Sequence, residues 1–283
     1  MMDRRLTPAN ENVAHESLRG KVNAQRFTEG TLKQVVGDSF LLDAPSGNRD
    51  RQVLSGDQFN ILDGDDHMVF GQSLKDGYVG YLEAWGLGDP QTLTHRVTHR
   101  TTHMYPEPNF KSPHNSVFHM NSQVQVVATE GKWAEVKLPK TPMSAPKHGY
   151  IPMPHLCPID EYSSDPVTIA EQFLDTPYVW AGNSGFGIDC SGLVQAALLA
   201  CGIGCPADSD LQEAALGQEI PEGAPLQRGD LLFWKGHVAM VVDDTRMIHA
   251  NAHDMSVVYE DMASAITRIE AQGDGPVTSR KRL

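Results

Sequence analysis

Two stretches in the first half of the chain repeat one grammar of short β-rich runs, and that repeat limits what this half can become. From Leu32 to Leu87 the apolar residues cluster at Val35-Val36, Phe40-Leu41-Leu42, Phe59 to Leu62, Met68-Val69-Phe70 and Tyr78 to Leu82, separated by turns containing Gly and Asp. Met120 to Val127 answers Leu54 to Ile61, and His148-Gly149-Tyr150-Ile151-Pro152 answers Asp76-Gly77-Tyr78-Val79-Gly80. Tyr78 and Tyr150 are 72 residues apart, so the spacing predicts two tandem small β-barrels, at 31–90 and 91–158. Residues 1–30 lack sustained periodicity and read as a tail that docks on the body or stays mobile.

The pattern changes after Pro152, Pro154, Pro158 and Pro166. Apolar residues fall at helical spacing over Val167 to Asp175 and again over Ser191 to Cys201, then strand-like runs follow at Asp230 to Trp234, His237 to Val242 and Met247 to Ala250. Helices followed by antiparallel-looking strands make residues 159–283 a separate α+β domain. His95, His99 and His103 are spaced four apart, but the threonines between them favour one strand, on which neighbours would lie ~13 Å apart, too far to share an ion. No metal site is expected there.

One local feature carries chemistry. A glycine-rich turn leads to Ile188-Asp189-Cys190-Ser191-Gly192-Leu193-Val194-Gln195, which delivers a cysteine to the entrance of a helix. Free N–H groups and the helix dipole at such an entrance favour a thiolate and an oxyanion formed beside it. A proton acceptor is still needed. Gly236-His237-Val238-Ala239-Met240 and Met247-Ile248-His249-Ala250-Asn251 each place a histidine on a strand, and a turn at Asp243 to Arg246 would bring His237 and His249 together, one as base and one to orient it. Asn251 and His253 are rivals for the third position. Cys201 and Cys205 read as packing residues on an apolar stripe.

Taken in order, P-Y-x-W-x-G, D-C-S-G-L-V-Q, P-A-D-S-D, R-G-D-L-L-F-W, G-H-V-A and R-M-I-H-A resemble an NlpC/P60 cysteine peptidase over roughly 159–263, preceded by two bacterial SH3-like domains. The resemblance implies an α+β, papain-like NlpC/P60 catalytic domain behind two small SH3-like β-barrels. It makes Cys190 the nucleophile, His237 the general base, His249 the orienting third member, and Tyr178 a partner of the Cys190 N–H in holding the oxyanion. It further implies that Asp208 receives the α-ammonium of a substrate L-Ala, that Asp189, Trp180, Ser191 and Ser209 line the γ-D-Glu region, and that Tyr78 serves as a lid, with Tyr81 as competitor. Asp208 read alone would be a helix cap. Ala181 stands where the family usually has Gly, and Ala207 where Arg is common.

Within the family the arrangement is similar to γ-D-glutamyl-L-diamino acid endopeptidases, which cut murein peptides bearing a free N-terminal L-Ala. The expected partner is therefore a murein-derived peptide, with neither metal nor organic cofactor. The diamino acid and the oligomeric state stay open. Two alternatives also stay open: a non-catalytic peptide- or wall-binding protein, and an amidase or acyltransferase of the same superfamily. With 23 Lys and Arg against 36 Asp and Glu, the net charge of −13 disfavours nucleic acid and anionic membrane surfaces. The first thirty residues hold no apolar segment and the four cysteines form no paired clusters, so a cytoplasmic location is expected.

Overall fold

The computed structural model describes residues 2–221 and 223–283, which divide into two compact units, 1–161 and 162–283. In the first unit, a seven-stranded sheet runs Arg49–Val53, Ser39–Leu42, Val79–Glu83, Met68–Ser73, Gln58–Gly64, Thr31–Val35, Leu87–Gly88. A five-stranded sheet runs Lys147–Pro152, Trp133–Leu138, Gln123–Glu130, His95–Val97, Leu156–Pro158. The last five strands of the first list and all five of the second have the same order. Each series ends in a 3₁₀ turn, Ala84–Gly86 or Met153–His155, that leads into its last strand. The repeat read from the sequence is thus a repeat of topology.

Of the two readings of the N-terminal segment, docking holds for residues 2–30: Val13–His15 pairs with Arg26–Thr28, and Val13, fully buried, packs with Leu62, Phe70 and Val79. Tyr81 joins that cluster, its ring 5.0 Å from Phe70. His95 and His103 do not share a strand. They lie on His95–Val97 and Thr101–Met104, which belong to different sheets, while the His99 ring meets His155 at 4.2 Å and His103 meets His114 at 4.5 Å, both pairs tilted.

The second unit begins with helix α1, Pro166–Glu171, capped by the Asp165 carboxylate on Val167 N–H with Pro in the first turn. Helix α2, Cys190–Ala200, buries every residue but Leu199, and α3 spans Ser209–Ala215. An antiparallel sheet follows in the order Gln218–Glu219, Ser279–Arg282, Leu231–Trp234, His237–Val241, Arg246–Asn251, Ser256–Asp261. Helix α4, Met262–Ile269, lays Ala265 and Ile269 on Leu232, Trp234, Ala239, Val241 and Met247. The sequence patterns anticipate α1, α2 and three strands. They miss Ser256–Asp261, α4 and Ser279–Arg282. Among the described residues no helix is long and apolar enough to cross a membrane.

Within the first unit, the two sheets meet at a polar seam. Gln123 N–H donates to Ser55 O at 2.9 Å, and a Cβ on Gly56, whose φ is 95°, would stand 2.4 Å from the Gln123 carbonyl oxygen. Beside it His119 Nε2 lies 3.1 Å from Asp38 Oδ2. Burial pushes the Asp38 carboxyl up to about 7 and the His119 imidazole down to about 4. Between pH 4 and 6.5 the folded pair therefore holds one proton, as does the unfolded pair, in which Asp is ionised and His protonated. The pair is silent to pH in that window. Asp38→Asn unmasks His119, which then lacks a proton when folded and carries one when unfolded. Urea unfolding of Asp38→Asn should show stability rising by about 2–3 kcal/mol from pH 4.5 to 6.5 relative to wild type. A constant difference between the two proteins would refute the seam's proton bookkeeping.

Candidate active site

Cys190 reaches its position through a short built turn. Asn183–Ser184 pairs with Gly187–Ile188, and Asp189 then caps α2, its Oδ1 accepting from Gly192 N–H at 2.6 Å and Ser191 Oγ at 3.1 Å. Residue 192 must be Gly because a Cβ there would stand 2.4 Å from Gly182 O. The Cys190 thiol, only 6% exposed, points at Gly236 O at 4.0 Å and receives the Val238 N–H. Gly236 and Val238 flank His237, so the sulfur lies against the peptide groups on either side of the expected base. The N–H groups of Cys190, Ser191 and Val238 favour the thiolate, as a helix entrance should. Burial outweighs them, aided by the Asp189 charge, and pushes the thiol up to about 12.

His237 opens its strand after the turn Lys235-Gly236, where Gly236 has φ 79°. Across the sheet Met240 pairs with Ile248 and Val241 with Met247, which sets His249 opposite Ala239 and makes His237 and His249 diagonal neighbours on one face. Their rings meet, His237 Nε2 to His249 Nδ1 at 2.9 Å. Burial, with His249 and Arg268 nearby, lowers the His237 imidazole to about 3, so the ring rests neutral. A neutral thiol beside a neutral imidazole whose second nitrogen is anchored is an arrangement for proton transfer on nucleophilic attack.

A model of the NlpC/P60 family matches residues 175–271, and one of the bacterial dipeptidyl-peptidase Sh3 domain matches 41–87. Residues 175–271 form an NlpC/P60 domain. Over 106 residues the chain is 40% identical to a γ-D-glutamyl-L-lysine dipeptidyl-peptidase of Bacillus cereus, covering 34% of this chain and 30% of that one. It is 34% identical over 112 residues to the Bacillus subtilis protein of that name, covering 34% and 37%. The matched segments thus span about a third of these relatives' length. The fold is similar to the crystal structure of an NlpC/P60 family protein from Bacillus cereus, with a TM-score of 0.73 and 21% identity over 89% of this chain and 99% of that one.

In the NlpC/P60 domain, Tyr178 is half-buried and close enough to Cys190 and Asp189 that, after burial, their charges raise its hydroxyl pKa further. Trp180 is 68% exposed, while Ser191 and Ser209 are buried. Asp208 stands at the N-cap position of α3 but its carboxylate does not cap the helix. Asp189 spends Oδ1 on capping α2. Tyr78 belongs to the first unit and is buried. Of the rivals for the third position, Asn251 Nδ2 lies 3.0 Å from His249 Nε2, and His253 pairs instead with Gln272 at 3.4 Å. Sequence reasoning missed Glu260, 3.0 Å from His249 Nε2, and Arg268, which binds Glu260 through two nitrogens. It also missed Gln212, which ties α3 to Ser191 O at 2.9 Å.

Ala181 has φ 63°, the left-handed region in which glycine is unstrained. This accounts for the Gly usual at that position, and Ala181→Gly should raise stability by about 0.5–1 kcal/mol in thermal or urea unfolding. Asp189→Asn keeps an oxygen for the cap and removes a negative charge beside the sulfur. Iodoacetamide should then label Cys190 severalfold faster at pH 8, and an unchanged or slower rate would contradict the electrostatic account.

Proposed function

We propose that the NlpC/P60 domain is a cysteine peptidase that hydrolyses the γ-D-glutamyl-L-diamino acid bond of murein peptides with a free N-terminal L-Ala. The observation that carries this reading is the Cys190 sulfur held between Gly236 O and Val238 N–H, with His237 between them anchored to His249. The names of the Bacillus relatives support the bond and the substrate class.

Cys190 Sγ attacks the γ-carbonyl carbon of D-Glu while its proton passes to His237 Nδ1, the nitrogen not engaged with His249. The Cys190 N–H and the Tyr178 hydroxyl hold the resulting oxyanion. Protonated His237 then gives its proton to the diamino acid nitrogen, the C–N bond breaks and a thioester remains. Water, deprotonated by His237, attacks that thioester and releases the dipeptide and the thiol. A cleft of about 160 Å³ beside His237, lined by Tyr178, Lys235, Asn251 and Asp274, takes the leaving diamino acid. Asp208 receives the L-Ala ammonium, with Trp180, Ser191 and Ser209 beside it. A site built for a free L-Ala amine selects short peptides already released from the wall, so the proposal includes peptide recycling in the cytoplasm.

The test is mass spectrometry of products from L-Ala-γ-D-Glu-diamino acid peptides with free and acetylated amines. The free peptide should be cut between D-Glu and the diamino acid, and Cys190→Ala should abolish the cut. Acetylation should lower kcat/KM by about 30-fold or more, because it removes a charge-assisted contact with Asp208. Burial keeps His237 neutral below the usual histidine range, so kcat/KM should stay level from pH 8 down to about pH 5. Wild-type turnover by Cys190→Ala would end the peptidase reading. Equal cleavage of both peptides would remove Asp208 from the amine site.

A further inference from the structure

His249 is fully buried and both its ring nitrogens are engaged. Nδ1 faces His237 Nε2 at 2.9 Å, while Nε2 lies 3.0 Å from both Glu260 Oε2 and Asn251 Nδ2. With one proton on the His249 ring, Nε2 either donates to Glu260 or accepts from Asn251. The Asn251 amide is already oriented. Asp254 N–H donates to its Oδ1 at 2.7 Å and its Nδ2 donates to Asp254 Oδ2 at 3.0 Å, so the amide offers only a donor to His249.

The outcome of that competition sets both rings. If His249 Nε2–H donates to Glu260, then its Nδ1 is bare and accepts from His237 Nε2–H, which leaves His237 Nδ1 bare. If Nε2 instead accepts from Asn251, the chain reverses, and His237 carries its proton on Nδ1 and cannot accept another there. Arg268 decides between them through Glu260. Its Nε and Nη2 lie 2.9 and 2.6 Å from the two Glu260 oxygens, and these bonds, after that to His249, hold the carboxyl down to about 2. A carboxylate can only accept. It repels a bare nitrogen lone pair at 3.0 Å and makes a charge-assisted bond about twice as strong as the neutral amide's.

We infer that Glu260, clamped by Arg268, is a positioning residue that fixes the tautomer of His249 and, through it, leaves Nδ1 of His237 bare to take the Cys190 proton. The inference rests on the peptidase reading only for that last step. Strand parity supports it independently: Met247 pairs with Glu260 and His249 with Val258, so His237, His249 and Glu260 fall on one face as successive diagonals.

Two-bond ¹H–¹⁵N correlation of the histidine rings in the resting full-length protein at pH 7 tests it without turnover. Both His237 and His249 should be the Nε2–H tautomer, and an Nδ1–H form at either would overturn the inference. Glu260→Ala leaves Asn251 as the sole polar partner of His249 Nε2 among the contacts described, so both rings should switch to Nδ1–H. On the released peptide its kcat should fall by about 10²–10⁴-fold, the scale of a wrong tautomer in a catalytic relay, with KM within about 2-fold. Removing the competing donor as well, in Glu260→Ala/Asn251→Ala, should restore part of kcat. Wild-type tautomers in Glu260→Ala would refute the role. If Glu260→Ala does not fold, the wild-type spectrum alone decides. A wild type with both rings Nε2–H that cuts no murein peptide sinks the peptidase reading and leaves the relay standing, whereas cleavage with either ring Nδ1–H does the reverse.

Discussion

The candidate site depends on the register between His237–Val241 and Arg246–Asn251. A shift of one residue would send His249 to the opposite face, away from His237. Alternation of apolar and polar residues does not select this register, because both faces are buried: Val238, Met240 and Ile248 on one, Ala239, Val241 and Met247 on the other. The turn selects it. Asp243 Oδ1 accepts from the N–H groups of Thr245 and Arg246 at 3.0 and 2.9 Å, and Oδ2 binds Arg246 Nε at 2.8 Å. An exposed side-chain turn thus determines which residue stands beside His237.

Burial governs the chemistry of the pair that this register assembles. The same desolvation pushes the Cys190 thiol up and the His237 imidazole down, so neither ion is favoured alone. Moving the proton from one to the other creates both charges together, and their attraction offsets part of what each would cost separately. The permanent charges of the network, Glu260 and Arg268, sit at the opposite end of the relay from the sulfur, where they are partly solvated. The arrangement keeps the resting Cys190 sulfur uncharged.

What could be read from the sequence was what is local. The glycine turn, the cysteine at a helix entrance and the Asp243 to Arg246 turn each declare themselves within a few residues, and they led to Cys190, His237 and His249. Glu260 and Arg268 were not legible because they reach His249 through a third strand and a fourth helix, and only the pairing of Met247 with Glu260 brings them in. For residues 2–30 the sequence left docking and mobility open, because buried residues such as Val13 and Ala14 are few in a mostly polar segment. The His95 to His103 run was misjudged because threonines suit a strand and the turn between two strands alike.

The segment that carries Asp208 is set relative to the helix that carries Cys190 by buried amides rather than by charge. Gln195, on α2, donates to Cys205 O at 3.0 Å and accepts from Asn183 Nδ2 at 3.2 Å. Gln212, on α3, donates to Ser191 O at 2.9 Å and to Pro206 O at 3.0 Å. Both glutamines are fully buried, so each bond replaces water that cannot enter. Between them they fasten the segment 205–209, which carries Asp208, to the helix that carries Cys190. A surface ion pair would have held the same segment with a force that salt weakens. Two buried amides hold it with bonds whose geometry is fixed.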